Sequence, residues 1–257
     1  MTAAPGFLRW RSWGGAERRA LLLHGSTSSS ATWWRVGPAL AEAGWRVKAP
    51  DLPSHGASPR AGTALTPDVA ADWVRAELAD RPLDLVVGHS FGGAVALALL
   101  DRGPEIGLLV LEELPGPQSV DWAAEADAVL HGVTAARRDS QAAYVQLRAA
   151  RPNWTDGDCR QAVADLASAS AEEVAAGLRA ADRWPSLDAA RLTCPTMVLA
   201  APDAPGINRL EDATALRGGD RAAALVIADA FVELDGGHCL HRDQPDAWLK
   251  AITEFTT

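Results

Sequence analysis

The sequence predicts an α/β fold, a mostly parallel central sheet flanked by helices, with a block of helices inserted late in the chain. Three observations predict it. Short apolar runs of strand length alternate with stretches of helical spacing, which is how a parallel sheet and its crossover helices read. Between Pro115 and about Pro185 the strands stop and only helical patterns remain. Strand and helix signals then resume to the end, so the helical block interrupts one unit rather than following it.

Taken in order, "FLRWRSW" (Phe7 to Trp13) alternates and reads as a first strand. "ALLLHG" (Ala20 to Gly25) is a short buried strand ending in a glycine turn. "TWWRVGPALAEAG" reads as a helix closed by Gly44, with Pro38 inside it, and "WRVKAPDL" as the next strand. "TPDVAADWVRAELAD" carries a Thr66 cap and a proline in the first turn. "LDLVVGH" is a strand, "GGAVALALLDRG" a helix stopped by Gly103, and "IGLLVLEEL" a further strand. The block after Pro115 contains four helical stretches, "SVDWAAEADAVLHGV", "SQAAYVQLRAA", "DGDCRQAVADLAS" and "AEEVAAGLRAADRW". "TMVLAA" and "AFVELDGG" are strands and "DQPDAWLKAITEF" is a closing helix. This divides the chain into a core of residues 1–114 and 186–257 and a helical cap of residues 115–185, a lid over the strand ends.

Composition limits the function. With 48% apolar and 22% charged residues the 257-residue chain is an ordinary globular protein, long enough to bury a full core. Its net charge of −9, with no basic stripe, argues against a nucleic-acid partner. Cys159, Cys194 and Cys239 are odd in number and far apart, so they suggest neither a disulfide framework nor a metal site. No apolar run suits a signal peptide or a membrane span, so a cytoplasmic protein is expected. Ten tryptophans against four phenylalanines and one tyrosine are unusual. Trp122, Trp154 and Trp184 fall in or beside the cap, and Trp154 and Trp184 are candidate walls of an apolar substrate pocket.

"GHSFG" (Gly88 to Gly92) is a G-x-S-x-G element with a buried strand before it and an apolar helix after it. Glycines permit a turn so tight that Ser90 is held out at the strand end. The first N–H groups of the following helix then favour negative charge developing beside it. A serine hydroxyl needs a base to take its proton. His89 lies within the elbow and points away, His24 follows a strand, His55 sits in a loop turn, and His131 falls in the cap. His238 follows a strand and a Gly-Gly turn, on a loop from which it reaches Ser90, whereas His241 supports the last helix. Ser90 and His238 are therefore the expected nucleophile and base.

Several motifs together resemble the α/β-hydrolase fold family: "LLLHGSTSSSATWW", "APDLPSHGAS", "GHSFGGAVAL", "PTMVLAAPD" and "DGGHCLHRDQPDAW". They follow the family's order from about residue 20 to 256. One departure is that Ser54 stands where the family's loop usually has glycine. The resemblance implies an oxyanion hole formed by the backbone N–H groups of Phe91 and Ser26. It also implies an acid to orient His238. Family members most often carry it after the strand that here is "TMVLAA", which selects Asp203, although Asp203 is one residue short of the usual spacing from Pro195. Other members carry it after the preceding strand, in "LEELP", which selects Glu113, with Glu112 the weaker choice. The "ELP" wording is similar to zearalenone-type lactonases. The resemblance thus implies a serine hydrolase of a carboxylic ester or lactone of medium-sized apolar character, with no cofactor or metal. Alternatives on the same fold are a cofactor-free lyase or acyltransferase, a perhydrolase-like side activity, and a ligand-binding receptor that barely turns over.

Overall fold

A computed structural model describes residues 7–78, 81–116, 120–202 and 218–257. Seven strands form one sheet: β1 (Arg9–Trp13), β2 (Arg19–Leu23), β3 (Arg46–Asp51), β4 (Leu85–His89), β5 (Leu109–Glu112), β6 (Thr196–Ala200) and β7 (Ala230–Glu233). Their order is β1-β3-β2-β4-β5-β6-β7. Only β1 runs antiparallel, pairing Arg9 with Asp51 and Trp13 with Val47. All five residues of β4 are buried, as are those of β6, because helices cover both faces of a parallel sheet.

Helices α1 (Val36–Glu42) and α10 (Pro245–Phe255) cover one face, where Trp33, Val36, Leu40, Trp248 and Ile252 pack on Leu22, Val87 and Val110. Helices α2 (Pro67–Glu77), α3 (Phe91–Leu100) and α8 (Gly218–Ile227) cover the other. The insertion lies between β5 and β6 and comprises α4 (Trp122–Arg138), α5 (Ser140–Ala150), α6 (Asp156–Ser168) and α7 (Ala171–Leu178). Its residues Ala126, Val133, Val174 and Leu178 continue the α2–α3 core. A short helix α9 (Leu240–Asp243) precedes α10. No helix among the described residues is long and apolar enough to cross a membrane.

Three elements differ from the sequence reading. The first strand begins at Arg9, and Phe7 is exposed. The helix read over Thr32 to Gly44 is a short 3-10 turn, Ser30–Trp33, followed by α1. Pro38 falls in the first turn of α1, where an absent N–H costs no helical hydrogen bond. The sequence reading missed α8.

The approach of α3 to β2 depends on Gly92, where a Cβ would run into the carbonyl oxygens of Leu23 and His24. Because those atoms are backbone, the clash cannot be relieved by a rotamer change. Gly92→Ala should therefore destabilise the fold by about 3 kcal/mol, at the upper end of ordinary overpacking. Urea denaturation would register this as a lower midpoint with an unchanged slope.

Candidate active site

Ser90 joins β4 to α3 with φ 52° and ψ −117°, outside the regions an L residue normally adopts. Its N–H donates to the Glu112 carbonyl at 2.8 Å, which fixes the kink to the end of β5. Phe91 opens α3, so its N–H is among those a helix leaves without an internal acceptor.

His238 lies beyond β7 and is 8% exposed. Its loop is held from two sides. Gly237 N–H donates to Asp243 at 2.8 Å, and His89 Nε2–H donates to the His238 carbonyl at 2.7 Å. His89, read from sequence as pointing away, thus supports the backbone of His238. The Nδ1 of His238 lies 3.3 Å from Glu113 Oε2. That contact orients the ring and leaves Nε2 as the nitrogen free to accept a proton. Burial pushes the His238 pKa down to about 4, opposed by the charge of Glu112.

Glu113 is fully buried just after β5, with φ 50°. Its N–H donates to the Leu199 carbonyl, and its Oε1 accepts from Ala201 N–H at 2.6 Å. Asp203, the other acid named from the sequence, lies outside the described residues. Glu112, the last residue of β5, is turned instead toward α9 and α10. It accepts from His241 Nδ1 at 2.7 Å, from the His241 amide at 3.0 Å and from Trp248 Nε1 at 3.0 Å. His241 Nε2 meets Thr32 Oγ1 at 2.6 Å, and Arg242 Nε donates to the same hydroxyl. Two adjacent glutamates thus serve two histidines, one lining the cavity that Ser90 also lines and one under α10. Burial raises the Glu112 pKa and lowers that of His241.

The loop containing Ser26 is shaped by two buried histidines, one read from the sequence as following a strand and the other as sitting in a loop turn. His24 Nδ1–H donates to the Gly25 carbonyl at 2.8 Å, and its Nε2 accepts from Leu52 N–H at 2.9 Å. His55 Nδ1–H donates to the Pro53 carbonyl at 3.0 Å, and its Nε2 accepts from Thr27 N–H at 3.0 Å. An imidazole that accepts at one nitrogen and donates at the other must be neutral. Burial agrees, pushing His24 down to about 4 and His55 to about 3. Gly25 lets this loop approach the elbow, since a Cβ there would lie 2.8 Å from His89 Nδ1 and 3.2 Å from Ser90 Cβ. No local motif announces the His55–Thr27 contact, which joins residues distant in sequence.

Ser90, His238 and Ser26 line one cavity of about 370 Å³, whose other wall is built from α4, α5 and α6. Trp154 lines it, held by Nε1–H donating to Asp243 at 2.6 Å. Trp184 does not; its ring packs against Phe91 at 5.3 Å and Trp122 at 5.0 Å. The wall is also more charged than the sequence suggested. Glu125, Arg151 and Arg242 face the cavity among Leu147, Val163 and Leu166. The Arg242 guanidinium stacks 4.7 Å from the Trp154 ring. The insertion is tied to the core beside this wall. Asp158 accepts from Trp34 and Arg35, each at 2.9 Å, and Asp165 accepts from Ser29 at 2.6 Å. Among the described residues no group of three or more His, Cys, Asp or Glu side chains is arranged to hold a metal ion.

A family model described as "Alpha/beta hydrolase family" matches residues 20–251. A pimeloyl-[acyl-carrier protein] methyl ester esterase of Aromatoleum aromaticum is 42% identical over 93 residues, 35% of each chain. Lipase LipV of Mycobacterium tuberculosis is 41% identical over 97 residues, 36% of each chain. The matching stretch thus spans about a third of the length of these curated relatives. Among solved structures, a hydrolase from Pseudomonas aeruginosa superposes with a TM-score of 0.74 at 24% identity, covering 96% of this chain and 93% of that one. A thermophilic esterase from Thermogutta terrifontis gives 0.72 at 23% identity, covering 96% and 92%.

Proposed function

This chain belongs to the alpha/beta hydrolase family, and from that premise we propose that it is a serine hydrolase of carboxylic esters or lactones, with Ser90 as nucleophile, His238 as base and Glu113 as the orienting acid. The observation that carries the reading is the contact of His238 Nδ1 with Glu113 on the loop that also brings His238 to the cavity of Ser90. In the reaction, Ser90 Oγ attacks the ester carbonyl while His238 Nε2 takes its proton. The amides of Phe91 and Ser26 hold the oxyanion; one such donor is worth about 3 kcal/mol in related chemistry. The imidazolium formed on His238 is stabilised by Glu113 and gives its proton to the leaving alkoxide. Water, deprotonated by the same nitrogen, attacks the acyl carbonyl and releases the acid. The ester-cleaving relatives support the ester bond as target. A cavity of about 370 Å³ suits a medium-sized acyl or alcohol group.

Burst kinetics with p-nitrophenyl esters of increasing acyl length would test the reading. The wild type should release a stoichiometric burst and then turn over, and Ser90→Ala should show neither. A fluorophosphonate should label Ser90 and nothing else. Saturable binding of the ester with no burst and no label would instead identify a receptor.

A further inference from the structure

We propose that Glu173, at the start of α7 in the insertion, is a positioning residue that fixes the oxyanion loop through Ser54 and His55, so that docking of the insertion and assembly of the oxyanion hole are one event. The proposal rests on the hydrolase reading for the loop's role and goes beyond it in assigning Glu173, Ser54 and His55. Ser54 has φ 68°, a region that favours glycine, yet the residue there is serine. The hydroxyl is what glycine lacks. Ser54 Oγ donates to the Glu173 carboxylate and also accepts from Ala61 N–H at 3.0 Å. The same carboxylate accepts from Ala61 N–H at 3.1 Å and Gly62 N–H at 3.2 Å. The backbone completes the seam, with Ser170 N–H donating to the Ser54 carbonyl at 2.8 Å and Leu65 N–H to the Glu173 carbonyl at 2.9 Å.

The seam leads directly to the catalytic loop. His55 follows Ser54 in sequence, is 1% exposed, and holds Thr27 N–H at 3.0 Å. Thr27 itself has φ 57°, so its peptide needs an external hold, and it adjoins Ser26. A shift of residue 54 would carry the His55 ring with it, free the Thr27 amide and turn the Ser26 N–H away from the oxyanion. Glu173 therefore acts on the transition state without touching it. The ground-state substrate, which carries no full negative charge on its carbonyl oxygen, would feel the change less.

Three variants test this: Ser54→Gly, which keeps the backbone conformation and removes the hydroxyl, Glu173→Ala, and Glu173→Gln, whose single carbonyl oxygen can still accept from Ser54 and Ala61 but not also from Gly62. Hydrogen–deuterium exchange of the Thr27 amide should accelerate at least fivefold in Ser54→Gly and Glu173→Ala. In both, kcat should fall about tenfold with KM nearly unchanged, and affinity for a trifluoromethyl ketone, which forms an oxyanion on Ser90, should fall by the same factor. Glu173→Gln should recover part of each loss. Unchanged Thr27 exchange in both Ser54→Gly and Glu173→Ala would overturn the proposal, whatever reaction the protein performs. Faster exchange with kcat and ketone affinity intact would overturn the catalytic half. Failure of the wild type to take a fluorophosphonate on Ser90 would remove the hydrolase reading alone and leave the exchange result to judge the link.

Discussion

Replacing Glu113 by glutamine should lower kcat about 10³- to 10⁴-fold while the protein stays folded, whereas replacing Glu112 by glutamine should unfold it more readily. The two side chains are neighbours of the same type, and both are fully buried. They differ in what they hold. Glu113 accepts from Ala201 N–H and His238 Nδ1. Glutamine can keep the Ala201 bond through its carbonyl oxygen, but its amide would then face Nδ1 with hydrogens. The imidazole is pushed to the tautomer in which Nε2 is protonated and cannot accept from Ser90. Loss of the correct tautomer is worth about 10⁴-fold in serine hydrolases with this arrangement. Glu112 accepts three hydrogen bonds from His241 and Trp248 beneath α10. Glutamine cannot accept them all, so Glu112→Gln should cost about 3 kcal/mol of stability. Steady-state kinetics and urea denaturation on both variants would separate the effects. Asp203→Asn completes the comparison: full activity is expected, and a 10³-fold loss there with Glu113→Gln active would move the acid to Asp203.

The strand, the elbow and the helix around Ser90 are legible because each leaves a local mark. A fully buried parallel strand is a continuous apolar run, and the glycines at 88 and 92 betray a close approach whatever it serves. The choice between Glu112 and Glu113 leaves no such mark. It depends on which face of β5 each carboxylate takes and on a left-handed backbone at Glu113, and neither is fixed by residue type. Residue spacing likewise favoured neither Glu113 nor Asp203. The roles of His24 and His55 were hidden for a related reason. Each bonds to a backbone N–H that lies 28 residues away, so the sequence shows only one histidine after a strand and another in a turn. The charged wall of the cavity was missed because Glu125 sits on α4, whose spacing allows either face to turn inward, and Arg151 lies just past the end of α5, where helical spacing says nothing. Trp184 was read as a pocket wall because residue type does not tell a tryptophan that faces a cavity from one that packs on a neighbour, here Phe91.

Acidification should unfold this protein with a midpoint between about pH 4 and pH 5.5, and activity should disappear with the fold rather than with titration of His238. His24 and His238 are pushed down to about 4, His55 and His89 to about 3, and His241 is lowered as well, each chiefly by burial. A histidine with a depressed folded pKa is protonated first in the unfolded chain, below its ordinary value of 6.5. Its contribution is therefore fully present above pH 6.5 and is lost as pH falls towards the folded value. Two carboxyls work the other way. Asp165 is raised to about 6 and Glu112 is raised, both by burial, so the folded state gains protons there. Four histidines at about 3 to 4 against Asp165 at about 6 leave a net uptake of about three protons on unfolding in this range. Each proton changes stability by about 1.4 kcal/mol per pH unit, giving a slope of about 4 kcal/mol per unit. At that slope a stability of about 5–10 kcal/mol, the lower part of the ordinary range, is used up within about 1.3–2.5 units below pH 6.5. Tryptophan fluorescence followed against urea at several pH values would give the slope, and hydrolysis measured in the same buffers would give the activity. A slope of one proton or fewer would refute the burial argument. Loss of activity near pH 6.5 in a folded protein would mean that Glu113 holds a proton on His238 more strongly than burial expels it.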